Sequence, residues 1–142
     1  MKSANGLIFF LPLLLLMGCG ANPEPIAFGK DHCSYCKMNI ADPKFGAELV
    51  TTKGKIFKFD ALECMVPFME DQPEAEYAFT LGIAYDIPEK LVSVDSLQFI
   101  ISDEYNSPMG ANLAGFRQVR FPDGDHETHD WHSLKQHLSK SR

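Results

Sequence analysis

Two thiols and a thioether stand within six positions at Cys33-Ser34-Tyr35-Cys36-Lys37-Met38, and any fold this chain adopts has to accommodate that cluster. Soft sulfur donors at this density suit a soft cation. Reduced copper takes thiolate and thioether donors, whereas zinc rarely takes Met, so Met38 points away from an ordinary zinc knuckle and toward copper(I).

The N-terminus reads as an address. Lys2 precedes the apolar run Leu7-Ile8-Phe9-Phe10-Leu11-Pro12-Leu13-Leu14-Leu15-Leu16, which is too short to span a bilayer comfortably and has the layout of a secretory signal. Its ending, Leu16-Met17-Gly18-Cys19, resembles the bacterial lipoprotein box. The resemblance implies cleavage after residue 18 and lipidation of Cys19, so that 124 of the 142 residues remain, anchored to the cell membrane or outer membrane and facing the periplasm or exterior. Residues 19–29, rich in Pro, Gly and small side chains, are expected to be a flexible tether. One domain, residues 30–142, follows.

A domain of ~110 residues buries a usable core but leaves little room for a deep cleft, which favours a site near the surface. Loss of the leader leaves 12 basic against 19 acidic residues, a formal charge of −7. Such a balance disfavours nucleic acid and suits cations. With Cys19 assigned to lipid, Cys33, Cys36 and Cys64 remain, an odd number that cannot be fully paired within one chain. A wholly disulfide-stapled scaffold is therefore excluded.

Hydrophobic periodicity predicts an α+β, mostly antiparallel domain. Residues 47–52 and 55–59 form a hairpin across Lys53-Gly54, and further strands are expected over 77–83, 91–94 and 97–101. Asp60 stands where a helix cap belongs, with Glu63 as its capping-box partner, ahead of Leu62, Met65, Val66 and Met69 at helical spacing. Pro67 should kink or shorten that helix. A shift of ~70 residues aligns Met38 with Met109, Phe45 with Phe116, Gly54 with Gly124 and Asp60 with Asp130. Two related ββα(β) halves, about 30–88 and 91–142, are expected, with Asp130 capping a helix through Trp131, Leu134 and Leu138.

Three separated blocks carry a family resemblance: Asp31-His32-Cys33-Ser34-Tyr35-Cys36-Lys37-Met38, Phe57-Lys58-Phe59-Asp60-Ala61-Leu62-Glu63-Cys64-Met65, and Ser107-Pro108-Met109-Gly110-Ala111-Asn112. In this order they resemble the NosL family of copper lipoproteins, accessory to nitrous oxide reductase. The resemblance implies a non-enzymatic chaperone that holds reduced copper outside the cytoplasm and passes it toward the reductase, alongside an ABC transporter of the same system. It also implies a fold of two related ββαβ halves. Asp123-Gly124-Asp125-His126 departs from the Gly-Gly pair many members carry there, so no role is assigned to His126.

Cys33 and Cys36 are the expected thiolate anchors, with Met38 and Met109 as softer donors; Cys64 and His32 are reserve ligands. Against metal stand a Cys33–Cys36 disulfide and thioredoxin-type exchange, although the latter wants a buried strand ahead of the pair and Gly29-Lys30-Asp31-His32 offers none. Haem attachment needs His after Cys36, where Lys37 stands. Met65 reads as packing. His126, His129 and His132 recur at every third residue and could clip a metal, but an exposed polar loop accounts for them more simply, and His137 reads as surface. A thiol-disulfide oxidoreductase and a zinc-holding structural lipoprotein are the competing functions.

Overall fold

The computed structural model describes residues 20–118 and 126–141. The expected signal peptide, Cys19, and the aligned Gly124 lie outside the described residues. Among those described, no helix is long and apolar enough to cross a membrane.

The predicted hairpin forms from β1 (Ala47–Thr51) and β2 (Ile56–Phe59), paired antiparallel with Leu49 opposite Phe57. Gly54, at φ +82°, supplies the left-handed turn residue, and its N–H donates to the Thr51 carbonyl at 2.9 Å. Next come α1 (Leu62–Glu70), β3 (Tyr77–Ala84) and β4 (Ile87–Ser93). They complete a four-stranded antiparallel sheet of order β2-β1-β3-β4. A one-turn 3-10 segment, Val94–Ser96, leads to β5 (Gln98–Ile101) and β6 (Leu113–Phe116). A second sheet, β6-β5-β7, is finished by β7 (Thr128–His129), after which α2 (Trp131–Lys140) closes the described chain.

The fold is α+β and antiparallel, as the periodicity predicted. β4 begins earlier than expected because it is an edge strand, where Pro88 needs no partner for its missing N–H. Leu62, Met65 and Val66 turn the apolar face of α1 into a core with Phe59, Phe99, Leu113 and Leu134. Each fully buried side chain of this size contributes roughly 1.5–3 kcal/mol. Pro67 removes the N–H that would bond the Glu63 carbonyl, and α1 ends three residues later.

The structure corrects two local expectations. Ala61, not Asp60, caps α1, and it does so without a side-chain bond. Asp60 is buried and accepts the Ala41 N–H instead, while Glu63 turns away to Ser107 and Ala111. By contrast, Asp130 caps α2 as predicted, accepting the Ser133 N–H at 2.7 Å.

The expected flexible tether is anchored from Glu24 onward. Ile26 is buried against Gly46, whose φ of +120° and missing Cβ leave it room: an added Cβ would lie 3.1 Å from Ile26 Cδ1. The Glu24 N–H donates to Glu48 Oε1 at 3.0 Å, and Lys58 Nζ donates to the Pro25 carbonyl at 2.9 Å. Packing rather than composition decides here, since one apolar residue and two side-chain bonds outweigh the Pro- and Gly-rich context. The chain therefore arrives at the thiol motif already held on the sheet.

Candidate metal centre

Residues 31–40 form a tight reversal docked on β2. His32 and Asn39 make an antiparallel bridge, the Cys33 N–H donates to the Met38 carbonyl at 2.8 Å, and the Ser34 N–H donates to the Lys58 carbonyl at 2.7 Å. Closure requires Lys37 at φ +67°, a left-handed conformation that costs a non-glycine residue roughly 1–2 kcal/mol. Its ammonium offsets part of that cost by donating to the Ser34 carbonyl at 2.6 Å.

That turn aims backbone donors at sulfur. The N–H groups of Tyr35, Cys36 and Asp60 point at the Cys33 sulfur, and the Met38 N–H points at the Cys36 sulfur. Cys64 sits in the first turn of α1 and completes the group: the Cys33, Cys36 and Cys64 sulfurs all lie within 4.8 Å of one another. All three cysteines are free, Cys33 and Cys64 buried and Cys36 half-buried. The cluster therefore opens to solvent on the Cys36 side.

The electrostatics are those of one thiolate shared among three sulfurs. The Cys64 thiol donating to Cys33, reinforced by the N–H groups of Asp60, Cys36 and Tyr35, overcomes burial and lowers the Cys33 pKa to about 4. Cys64 is correspondingly pushed up, first by the proton it gives to that bond and then by burial. Burial also raises Cys36. Asp60 is raised by burial and by the charge on Cys33.

A metal ion fits the dimensions. Three sulfurs at about 2.3 Å from one ion stand about 4 Å apart, inside the observed limit. Three sulfur donors are the soft set that a soft, low-coordinate ion prefers.

Sequence reasoning placed Cys33 and Cys36 at the centre and held Cys64 in reserve; the structure brings all three together. Met38 and Met109 are 48% and 41% exposed, among the large apolar side chains on display together with Tyr35 and Phe79. Met109 is carried by a loop tied to α1 beside Cys64, because Ser107 Oγ donates to the half-buried Glu63 carboxylate, which also accepts the Ala111 N–H. Burial raises the Glu63 pKa, opposed by those donors. His32 is exposed and belongs to the bridge that closes the turn. Cys64 reaches the pair because β1 and β2 bring the start of α1 beside the thiol turn.

A family model described as NosL matches residues 25–120, from the anchored tether through β6. The chain belongs to the NosL family. The matched span holds the thiol turn, the start of α1 and the Met109 loop, and it stops short of β7 and α2. Among solved structures, the chain is similar to the crystal structure of the copper chaperone NosL from Shewanella denitrificans, with a TM-score of 0.50 and 13% identity over 84% of this chain and 89% of that one. At that identity the likeness establishes a shared fold. No curated protein matches the sequence.

Proposed function

We propose that this NosL-family chain is a copper(I) carrier, holding the ion on Cys33, Cys36 and Cys64 and releasing it through the open Cys36 side. The observation that carries the reading is the preorganised three-sulfur cluster, with backbone N–H groups already directed at two of its sulfurs. Membership in a family that includes a solved copper chaperone supports it.

Copper(I) is the cargo, so the chemistry is ligand exchange. The ion displaces the protons of Cys36 and Cys64 and joins a Cys33 sulfur already held as thiolate. A three-coordinate ion leaves one direction open to an incoming donor, and sulfur can then be exchanged one atom at a time with no free ion released. Met38 and Met109, exposed and soft, are the donors that would take the ion in transit. The recipient is an extracytoplasmic copper enzyme, nitrous oxide reductase by family association, with an ABC transporter in the same system. Lipid on Cys19 would hold the carrier at the membrane, facing the periplasm or exterior.

The test is anaerobic titration of the reduced chain with copper(I) against a competing chelator, for wild type, Cys33→Ser, Cys64→Ser and Met109→Leu. The reading expects one tightly bound ion, lost in both cysteine variants, and slower transfer to an acceptor with near-native affinity in Met109→Leu. Unchanged affinity in both cysteine variants would remove the site. Zinc outcompeting copper(I) would favour the structural lipoprotein, and insulin reduction by the metal-free chain would favour thiol-disulfide exchange.

A further inference from the structure

A second group of donors lies outside the span the family model matches. His129 is the last residue of β7, only 8% exposed, and its Nε2 is fully buried without a hydrogen-bond partner. An unpaired buried ring nitrogen is costly unless something satisfies it. Its nearest acidic neighbour, Glu127 Oε1, stands 3.5 Å away, too far for a directed hydrogen bond. The polypeptide turns at the Asp130 cap, and two turns into α2 it brings His137 back over the strand, with the two imidazole centroids 5.1 Å apart. One donor atom from each of Glu127, His129 and His137 falls within 4.8 Å of the other two.

We propose that Glu127, His129 and His137 form a binding site for a borderline divalent cation such as zinc, distinct in chemistry from the sulfur cluster. Two imidazoles and a carboxylate match the nitrogen and oxygen preference of that ion class, whereas copper(I) is drawn to the thiols. Glu127 and His137 are exposed and free to swing inward by the small distance that metal–ligand bonds of about 2.0–2.2 Å require. His129 supplies the fixed point. The bound ion would clip α2 to β7, a strand of two residues that, among the described residues, pairs with the sheet through Phe99 and Ile100. His132 is no part of the site, since its Nε2 pairs with Gln136 at 2.9 Å.

The test titrates the reduced full chain with zinc ion and follows the imidazole ring resonances of His129 and His137 by NMR, a readout that zinc on the thiols does not move. Expected are saturable shifts of both rings and a zinc-dependent rise in thermal stability through linkage. Both should weaken in His137→Gln and Glu127→Gln by at least the roughly 10- to 100-fold typical of losing even an outer partner of a metal ligand. These two substitutions are at the surface and leave the fold intact without metal. Rings that do not shift with zinc, or shift equally in both variants, would overturn the proposal and leave Glu127 and His129 as an ion pair only. The outcome is independent of whether the thiols carry copper.

Discussion

The sulfur cluster and the imidazole cluster are assembled by opposite strategies. In the first, a rigid turn and a helix start bury Cys33 and Cys64 and direct backbone N–H groups at the Cys33 and Cys36 sulfurs before any metal arrives. In the second, a single buried ring on a two-residue strand waits for two exposed side chains to close on it. On the reading proposed here, preorganisation belongs to the site that would hold and hand on an ion, and an open arrangement to one that would fasten one element to another.

Four outcomes would sharpen or break this contrast. The largest is Cys33→Ser, expected to weaken copper(I) by at least about a hundredfold, judged against outer-partner losses of that order, while zinc shifts at His129 and His137 stay native. Loss of both together would mean that the clusters are one system. Next is pH. Cys33 is held down near 4 and is already ionised at neutrality, whereas Cys36 and Cys64 are raised and carry their protons. Each copper(I) bound should therefore release both of those protons, and affinity should climb as pH rises through the neutral range, fading further once acid reaches Cys33 near pH 4. Calorimetry in buffers of different ionisation enthalpy measures the proton count, and a count of zero would contradict the three-thiolate site.

A smaller effect is expected of Ser107→Ala. Its hydroxyl bridges Glu63 and the Leu113 N–H, so removal should cost about 1–2 kcal/mol in chemical denaturation. It should also loosen the Met109 loop and alter copper transfer, without touching zinc binding at α2. The smallest is His132→Asn: an exposed ring bonded only to Gln136 should change stability by less than about 0.5 kcal/mol and leave both metals bound as before.

Much of the sulfur site was legible in the sequence because its donors are adjacent. Cys33, Cys36 and Met38 share one turn, and the spacing alone announces them. Cys64 was harder, since its arrival depends on β1 and β2 returning the chain beside the turn, a long-range fact no local pattern states. The surroundings of His129 were hidden for a related reason. Residues 126, 129 and 132 read as an exposed polar loop and His137 as surface; His132 and His137 are exposed, but His129 is buried at the strand end, with its ring 5.1 Å from that of His137, eight residues on. Local chemistry misled at Asp60 as well. It and Asp130 carry the same capping signal, but Asp60 is buried beside Cys33 and pulled to Ala41, while Asp130 stays at the surface and caps. The anchored tether shows the same rule, because Ile26 found a groove over Gly46 that composition could not reveal.

X-ray absorption at the copper edge of the reduced, copper(I)-loaded chain measures the first coordination sphere itself. Three sulfur neighbours at about 2.3 Å, falling to fewer in Cys64→Ser, is the predicted spectrum; a shell of nitrogen and oxygen donors, or one indifferent to that substitution, would contradict it.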